Sequence, residues 1–229
     1  MTGNYEDYWS KNIDPWADKY LELSHGSETF DRPAWFTALY NATIGRIERR
    51  LMKQRYRLTV QFIEEYVRPG TRFSDLGCGT GIFVVEAAKR GATVNAVDFS
   101  EASLKAARST VERHAESASV TFIQADLQKD PLPEADVTLT MGVTPYITDI
   151  KGFLSNVLPK TEILCCQYTD PYAWASIVRR LVPILDVRSL QCYGKAEIDA
   201  LYRASGASLL RRDPFASGYI DIVASKKAR

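Results

Sequence analysis

From Thr71 onwards, short apolar runs of β-type alternate with helical segments at regular intervals, and this alternation constrains the fold most strongly. Strands are predicted at 73–76, 93–98, 120–125, 136–141 and 162–168. Helical stretches lie between them: 81–90, which stops at Gly91, a longer one capped by Ser100 and running to about residue 115, and 150–158. Strands spaced by helices in this way imply parallel βαβ units wound on both faces of a sheet. After a helix at 195–204, two β-like runs at 207–211 and 218–224 are joined by a linker too short for a crossover helix. The last two strands are therefore expected to be antiparallel. The predicted fold is a Rossmann-like, doubly wound α/β sheet of seven strands, mostly parallel with an antiparallel last strand. Residues 1–70 stand outside the repeat as a helical leader, and 170–194 as an insert between the fifth strand and its helix, leaving 71–229 as the main domain.

A chain of 229 residues can bury a core without help from disulfides. Its net charge of +1 gives no overall bias toward a nucleic-acid partner, so none is expected. The sequence has no long uninterrupted apolar run, and MTGNYEDYWS lacks the form of a signal peptide, so no membrane span and a cytoplasmic location are expected. The oligomeric expectation is a monomer or homodimer. Cys78, Cys165, Cys166 and Cys192 show no metal-ligand spacing, so no metal is predicted and the four are read as reduced core thiols.

The chemistry centres on FSDLGCGTGIF, where Gly77, Gly79 and Gly81 follow Asp75. A turn closing the first parallel strand and opening a helix sits where open α/β sheets bind ligands. Dinucleotide enzymes place G-x-G-x-x-G there, with a pyrophosphate at the helix N-terminus. Here the third glycine comes one residue early and Ile82 stands in its place. Asp75 also has the wrong sign beside a pyrophosphate. S-adenosylmethionine carries an ammonium and a sulfonium and no phosphate, so a carboxylate favours it.

DLGCGTG resembles the first motif of the class I S-adenosylmethionine-dependent methyltransferases, and the likeness extends over about 71–224, with the order of elements in agreement. The resemblance implies a cofactor site built from Asp75, Gly77, Cys78, Gly79 and Gly81, with S-adenosyl-L-homocysteine as product. It also implies that Asp98, ending the second strand, accepts from the ribose hydroxyls. Phe99 beside it reads either as an adenine wall or as core. Asp126 ends the third strand, where the family often has a carboxylate for the adenine amino group, with Leu127 nearby; singly, each aspartate also fits an ordinary turn. Met141 and Gly142 end the fourth strand beside the expected methionyl part.

Methyl transfer from a sulfonium is an in-line displacement, for which alignment in a dry pocket supplies much of the acceleration. A base is required only if the acceptor must lose a proton early. His25 and Tyr146 are the candidate catalytic groups, each with a plainer reading as turn or loop packing, while His114 reads as surface. MGVTPYI (141–147) lacks the Asn- or Asp-Pro-Pro-Tyr tetrad of amide- and amine-directed nucleic-acid and protein methyltransferases, which favours a small-molecule acceptor methylated at oxygen or nitrogen. In small-molecule members the N-terminal helices close over the cofactor. Trp16 and Tyr20 are the leader aromatics proposed to face it, aided by cation–π attraction. Arg46, Arg50, Lys53 and Arg57 share one helical face, a solvated stripe or a receptor for an anionic acceptor through Arg57. Tyr172 and Trp174 of the insert are further acceptor candidates. The insert and the GY-containing last strand loosely resemble the magnesium-protoporphyrin carboxyl methyltransferases, which keeps a tetrapyrrole carboxylate as a minor acceptor class. The alternatives are a methyltransferase acting on RNA or protein and a cofactor-binding module without catalysis.

Overall fold

The computed structural model describes residues 44–181 and 190–226. Helix α1 (Ile44–Tyr66) leads into β1 (Arg72–Leu76), α2 (Ile82–Ala88), β2 (Thr93–Asp98), α3 (Glu101–His114), β3 (Val120–Gln124) and β4 (Val137–Thr140). There follow α4 (Ile150–Val157), β5 (Ile163–Thr169), α5 (Trp174–Leu181), α6 (Lys195–Ala204), β6 (Ser208–Phe215) and β7 (Gly218–Ala224). The strands form one seven-stranded sheet in the order β3-β2-β1-β4-β5-β7-β6. The first five pair in parallel, and β7 runs antiparallel between β5 and β6. This is the predicted Rossmann-like sheet. Strand order reverses between β1 and β4, which opens a crevice at their carboxyl ends.

The sheet is covered on both faces because its strands alternate side chains between two apolar clusters. Phe73, Val94, Leu139 and Ile222 pack with Phe62 and Ile63 of α1 and with α2 and α3. Val97, Leu164, Tyr168 and Val223 pack with Phe153 and Leu154 of α4 and Ile198 of α6. Neighbouring Cys165 and Cys166 fall into opposite clusters, and both are fully buried, as is expected of core thiols. Cys192 departs from that expectation and is only half-buried.

On the second face four buried tyrosines meet. The hydroxyls of Tyr168 and Tyr202 are 2.9 Å apart, Tyr219 donates to the Tyr193 carbonyl at 3.1 Å, and Tyr193 donates to the carbonyl of Ile147. Gly218 opens β7 against β5 so closely that a Cβ there would lie 1.9 Å from the Tyr168 carbonyl oxygen.

The last hairpin is longer than the sequence pattern indicates. Residues 212–215, expected as linker, are strand paired with 218–221 of β7, and their charges find partners on β7, on α6 and within β6. Arg212 donates to Asp221 at 2.7 Å and to Asp199 at 2.7 Å, and Arg211 to Asp213 at 2.9 Å. Pro214 is tolerated since β6 is an edge strand. Trp16, Tyr20 and His25 lie outside the described residues, as does 182–189 of the insert. Among the described residues no helix is long and apolar enough to cross a membrane.

Candidate active site

Beyond Leu76 the chain turns through Gly77 (φ 79°), Gly79 (φ 51°) and Gly81 (φ 78°), all left-handed, a conformation glycine adopts without steric cost. The Gly77 and Cys78 N–H groups both donate to the Val97 carbonyl, at 2.7 and 3.0 Å, which ties the turn to the end of β2. A Cβ on Gly77 would lie 2.3 Å from Cγ2 of Val143, so the turn abuts the loop after β4. The third glycine has a different task. A Cβ on Gly81 would come within 2.9 Å of Cα of Ala107, so this residue lets α2 pack on α3.

Asp98 ends β2 and is buried. Its Oδ2 accepts the Gly79 N–H at 3.0 Å and its Oδ1 the Ser100 N–H at 3.0 Å. Ser100 in turn caps α3 by accepting from the Ser103 N–H at 3.3 Å. Asp75, at 1% exposure, has an Oδ2 with no hydrogen-bond partner. Burial, and then the charge of Asp98, push the Asp75 carboxyl up to about 8. Burial raises Asp98 as well, but backbone N–H groups oppose that rise. A proton shared by this pair therefore resides on Asp75. A buried, unpartnered carboxyl oxygen suits a cationic ligand group, which favours ionisation of Asp75, whereas a phosphate beside it would oppose that ionisation, so the turn fits S-adenosylmethionine.

Phe99 is 36% exposed beside Asp98, its carbonyl accepting from Gln124 Nε2 at 3.1 Å, so it stands out of the core with a face available to a ligand. Asp126 behaves as a turn former. Its Oδ1 accepts the Gln128 N–H at 3.0 Å and its Oδ2 pairs with Lys129 at 2.8 Å, contacts that hold its carboxyl below the ordinary value against the opposing effect of burial. Cys78, Leu127 and Met141 are buried, and the Cys78 thiol is pushed up by burial. Tyr146 is half-buried in a short 3₁₀ turn, Thr144–Tyr146, fixed where the Thr144 hydroxyl donates to the Gln167 carbonyl at 2.6 Å.

The acceptor candidates divide. Tyr172 (81% exposed) lines a cavity of about 540 Å³ with Asp170, Cys192 and Lys195, and Trp174 stands exposed nearby. Lys53 and Arg57 are both exposed, so the described part of the basic stripe is a solvated face. Sequence reasoning passed over Arg55. It is half-buried, its Nη1 lies 3.4 Å from Gln167 Oε1, and a Cβ on Gly142 would be 3.5 Å from the same nitrogen. Desolvation brings its guanidinium down to about 10, and the nearby Tyr146 phenol opposes that. The signal was present: Arg55, Thr59, Phe62 and Tyr66 are spaced four, three and four along α1, which puts one cation on the inward stripe. Among the described residues no group of three or more His, Cys, Asp or Glu could hold a metal ion.

Residues 73–158 match a family described as "Methyltransferase domain". Among curated relatives, a ribosomal protein L11 methyltransferase from Caldanaerobacter subterraneus subsp. tengcongensis is 32% identical over 164 residues, 67% of this chain and 50% of that protein. Another of that name, from Desulfitobacterium hafniense, is 35% identical over 39% of this chain and 29% of its own length. The chain thus spans half or less of the length of these two relatives. In shape it is similar to magnesium protoporphyrin IX methyltransferase from Synechocystis PCC 6803 with bound SAH, at a TM-score of 0.73 and 16% identity, covering 97% of this chain and 98% of that one. A methyltransferase from Aquifex aeolicus matches at a TM-score of 0.54 and 16% identity over 72% of this chain and 88% of its own. With its glycine turn and its carboxylate pair, the chain carries a methyltransferase domain at 73–158, in a fold similar to that of solved S-adenosylmethionine-dependent methyltransferases.

Proposed function

We propose that the chain transfers a methyl group from S-adenosylmethionine to a small-molecule acceptor, at oxygen or nitrogen. The observation that carries the cofactor half is the buried, unpartnered Oδ2 of Asp75 beside a left-handed glycine turn. The bound cofactor supplies an electrophilic methyl on a sulfonium. The chain's own residues bind and orient. Asp98 presents carboxylate oxygens already fixed by Gly79 and Ser100, Phe99 offers an aromatic face, and Asp75 offers negative charge to an ammonium. Apolar Met141 and Val143 limit water on the side facing β4. A base is required of the protein only if the acceptor must lose a proton early, and alignment in a dry pocket accounts for much of the rate.

A small acceptor is favoured because α1 brings Arg55 against Gly142, just past the carboxyl end of β4, and so narrows the approach there for a folded macromolecule. The full-length likeness in shape to a methyltransferase of a small molecule supports the same reading. A protein acceptor is the second reading, favoured by the names of the curated relatives. Methyl-labelled cofactor incubated with the protein and a fractionated cell extract separates the two. Label should enter the low-molecular-weight fraction. Label confined to ribosomal protein would establish the second reading, and no transfer to any fraction would leave a binding module.

A further inference from the structure

Strands β2 and β3 finish side by side, and Gln124, the last residue of β3, lies opposite Asp98 in their parallel ladder. Its side chain reaches across to β2, where Nε2 donates to the carbonyl of Phe99 at 3.1 Å. A carbonyl oxygen can only accept, so this bond fixes which way the amide faces. Nε2 is committed to the backbone, and Oε1 is the end of the amide that remains for a hydrogen-bond donor. Gln124 is exposed, and Phe99 is 36% exposed. The amide acceptor and the aromatic ring therefore share one surface, next to the buried carboxylate of Asp98.

The neighbouring carboxylate is employed differently. Asp126 Oδ1 accepts the Gln128 N–H at 3.0 Å and Oδ2 pairs with Lys129 at 2.8 Å, while the Asp126 N–H donates to Asp130 Oδ2 at 2.7 Å. The same turn is tied to α4, since Asn156 Nδ2 donates to the Asp130 carbonyl at 3.2 Å. Both oxygens of Asp126 thus serve the turn itself.

We propose that Gln124, and not Asp126, reads the nucleobase of the cofactor: its Oε1 accepts from the 6-amino group of adenine while the base lies against Phe99. This rests on S-adenosylmethionine being the cofactor, with its ribose at Asp98. An amino group at that carbon donates, whereas an oxo group there can only accept, so Oε1 favours adenine over hypoxanthine. The amide can turn round to serve an oxo group only by giving up its bond to Phe99.

The test is calorimetry on the intact chain with S-adenosylhomocysteine and with S-inosylhomocysteine, which carries a 6-oxo group in place of the 6-amino group. The wild type should bind the adenine compound about tenfold tighter, the effect of one hydrogen bond made by one ligand and lost by the other. Gln124→Leu should bind the two compounds equally, while Asp126→Asn should keep the preference. Circular dichroism checks that each variant folds, and Gln124→Ala repeats the comparison if Gln124→Leu does not. Equal binding by the wild type, or a preference that survives when Gln124 is replaced, overturns the proposal. A preference lost in Asp126→Asn and kept in Gln124→Leu returns the base to Asp126. A wild type that binds neither compound overturns the cofactor assignment, and this inference with it.

Discussion

Asp98 and Asp75 divide one task between them. Asp98 is held by two backbone N–H groups, so it can stay ionised and accept from a ligand's hydroxyls. Replacing it by alanine should weaken S-adenosylhomocysteine binding by about 1–3 kcal/mol, the usual loss for a hydrogen bond to a charged group. Calorimetry would show it, and an unchanged affinity would exclude Asp98 from the site. Asp75, pushed up to about 8, keeps its proton at neutral pH in the free protein. Below its unfolded value near 4, burial costs nothing, because both states are protonated. As pH rises toward 8 the unfolded chain ionises and the folded one resists, so stability falls across that window. A cationic cofactor draws the carboxyl back down, and binding at pH 7 should release a proton. Calorimetry in two buffers of different ionisation enthalpy should detect the release in the wild type and none in Asp75→Asn. Both aspartates were legible in the sequence because a glycine turn and a strand end are local features. Arg55 was not, because on a helix that also carries Arg46, Arg50, Lys53 and Arg57 only tertiary packing against Gly142 and Gln167 sets it apart.

Among the elements, α2 and α3 depend on Gly81. An alanine there would hold a left-handed φ, which costs roughly 1–2 kcal/mol, and would push its Cβ into Ala107. Urea unfolding of Gly81→Ala should therefore give a loss of about 2–4 kcal/mol once overpacking is added. A loss below 0.5 kcal/mol would mean that α2 shifts freely on α3, which the close contact argues against. Element positions were read well where propensity and capping agree, as at Ser100 and at Gly91, whose N–H donates to the Ala88 carbonyl at 2.9 Å. They were read poorly at 212–215. Four residues that include two charges and a proline carry no local β signal, and only their cross-strand partners make them strand.

For the molecule as a whole, the antiparallel β7 joins the outer hairpin to the parallel sheet, and Asp221 lies fully buried at that junction. Arg212 pairs with it and stacks over Tyr219 at 4.6 Å. Arg212→Ala should cost about 3–5 kcal/mol in denaturant unfolding, because a buried carboxylate loses its partner. Replacing Arg212 and Asp221 together by apolar residues should cost less than Arg212→Ala alone. Equal losses would show that packing, not charge, secures the junction. The overall topology was readable because the strand–helix alternation admits few arrangements, whereas the leader's proposed lid, with Trp16, Tyr20 and His25, lies outside the described residues.

The tyrosine group beneath the sheet gives the protein an internal reporter of its own integrity. Burial pushes all four phenols up, Tyr193 to about 12. In an alkaline titration followed by near-ultraviolet absorbance, these rings should stay dark while the fold holds. They should then contribute their phenolate band in a single step, coincident with the loss of helical dichroism.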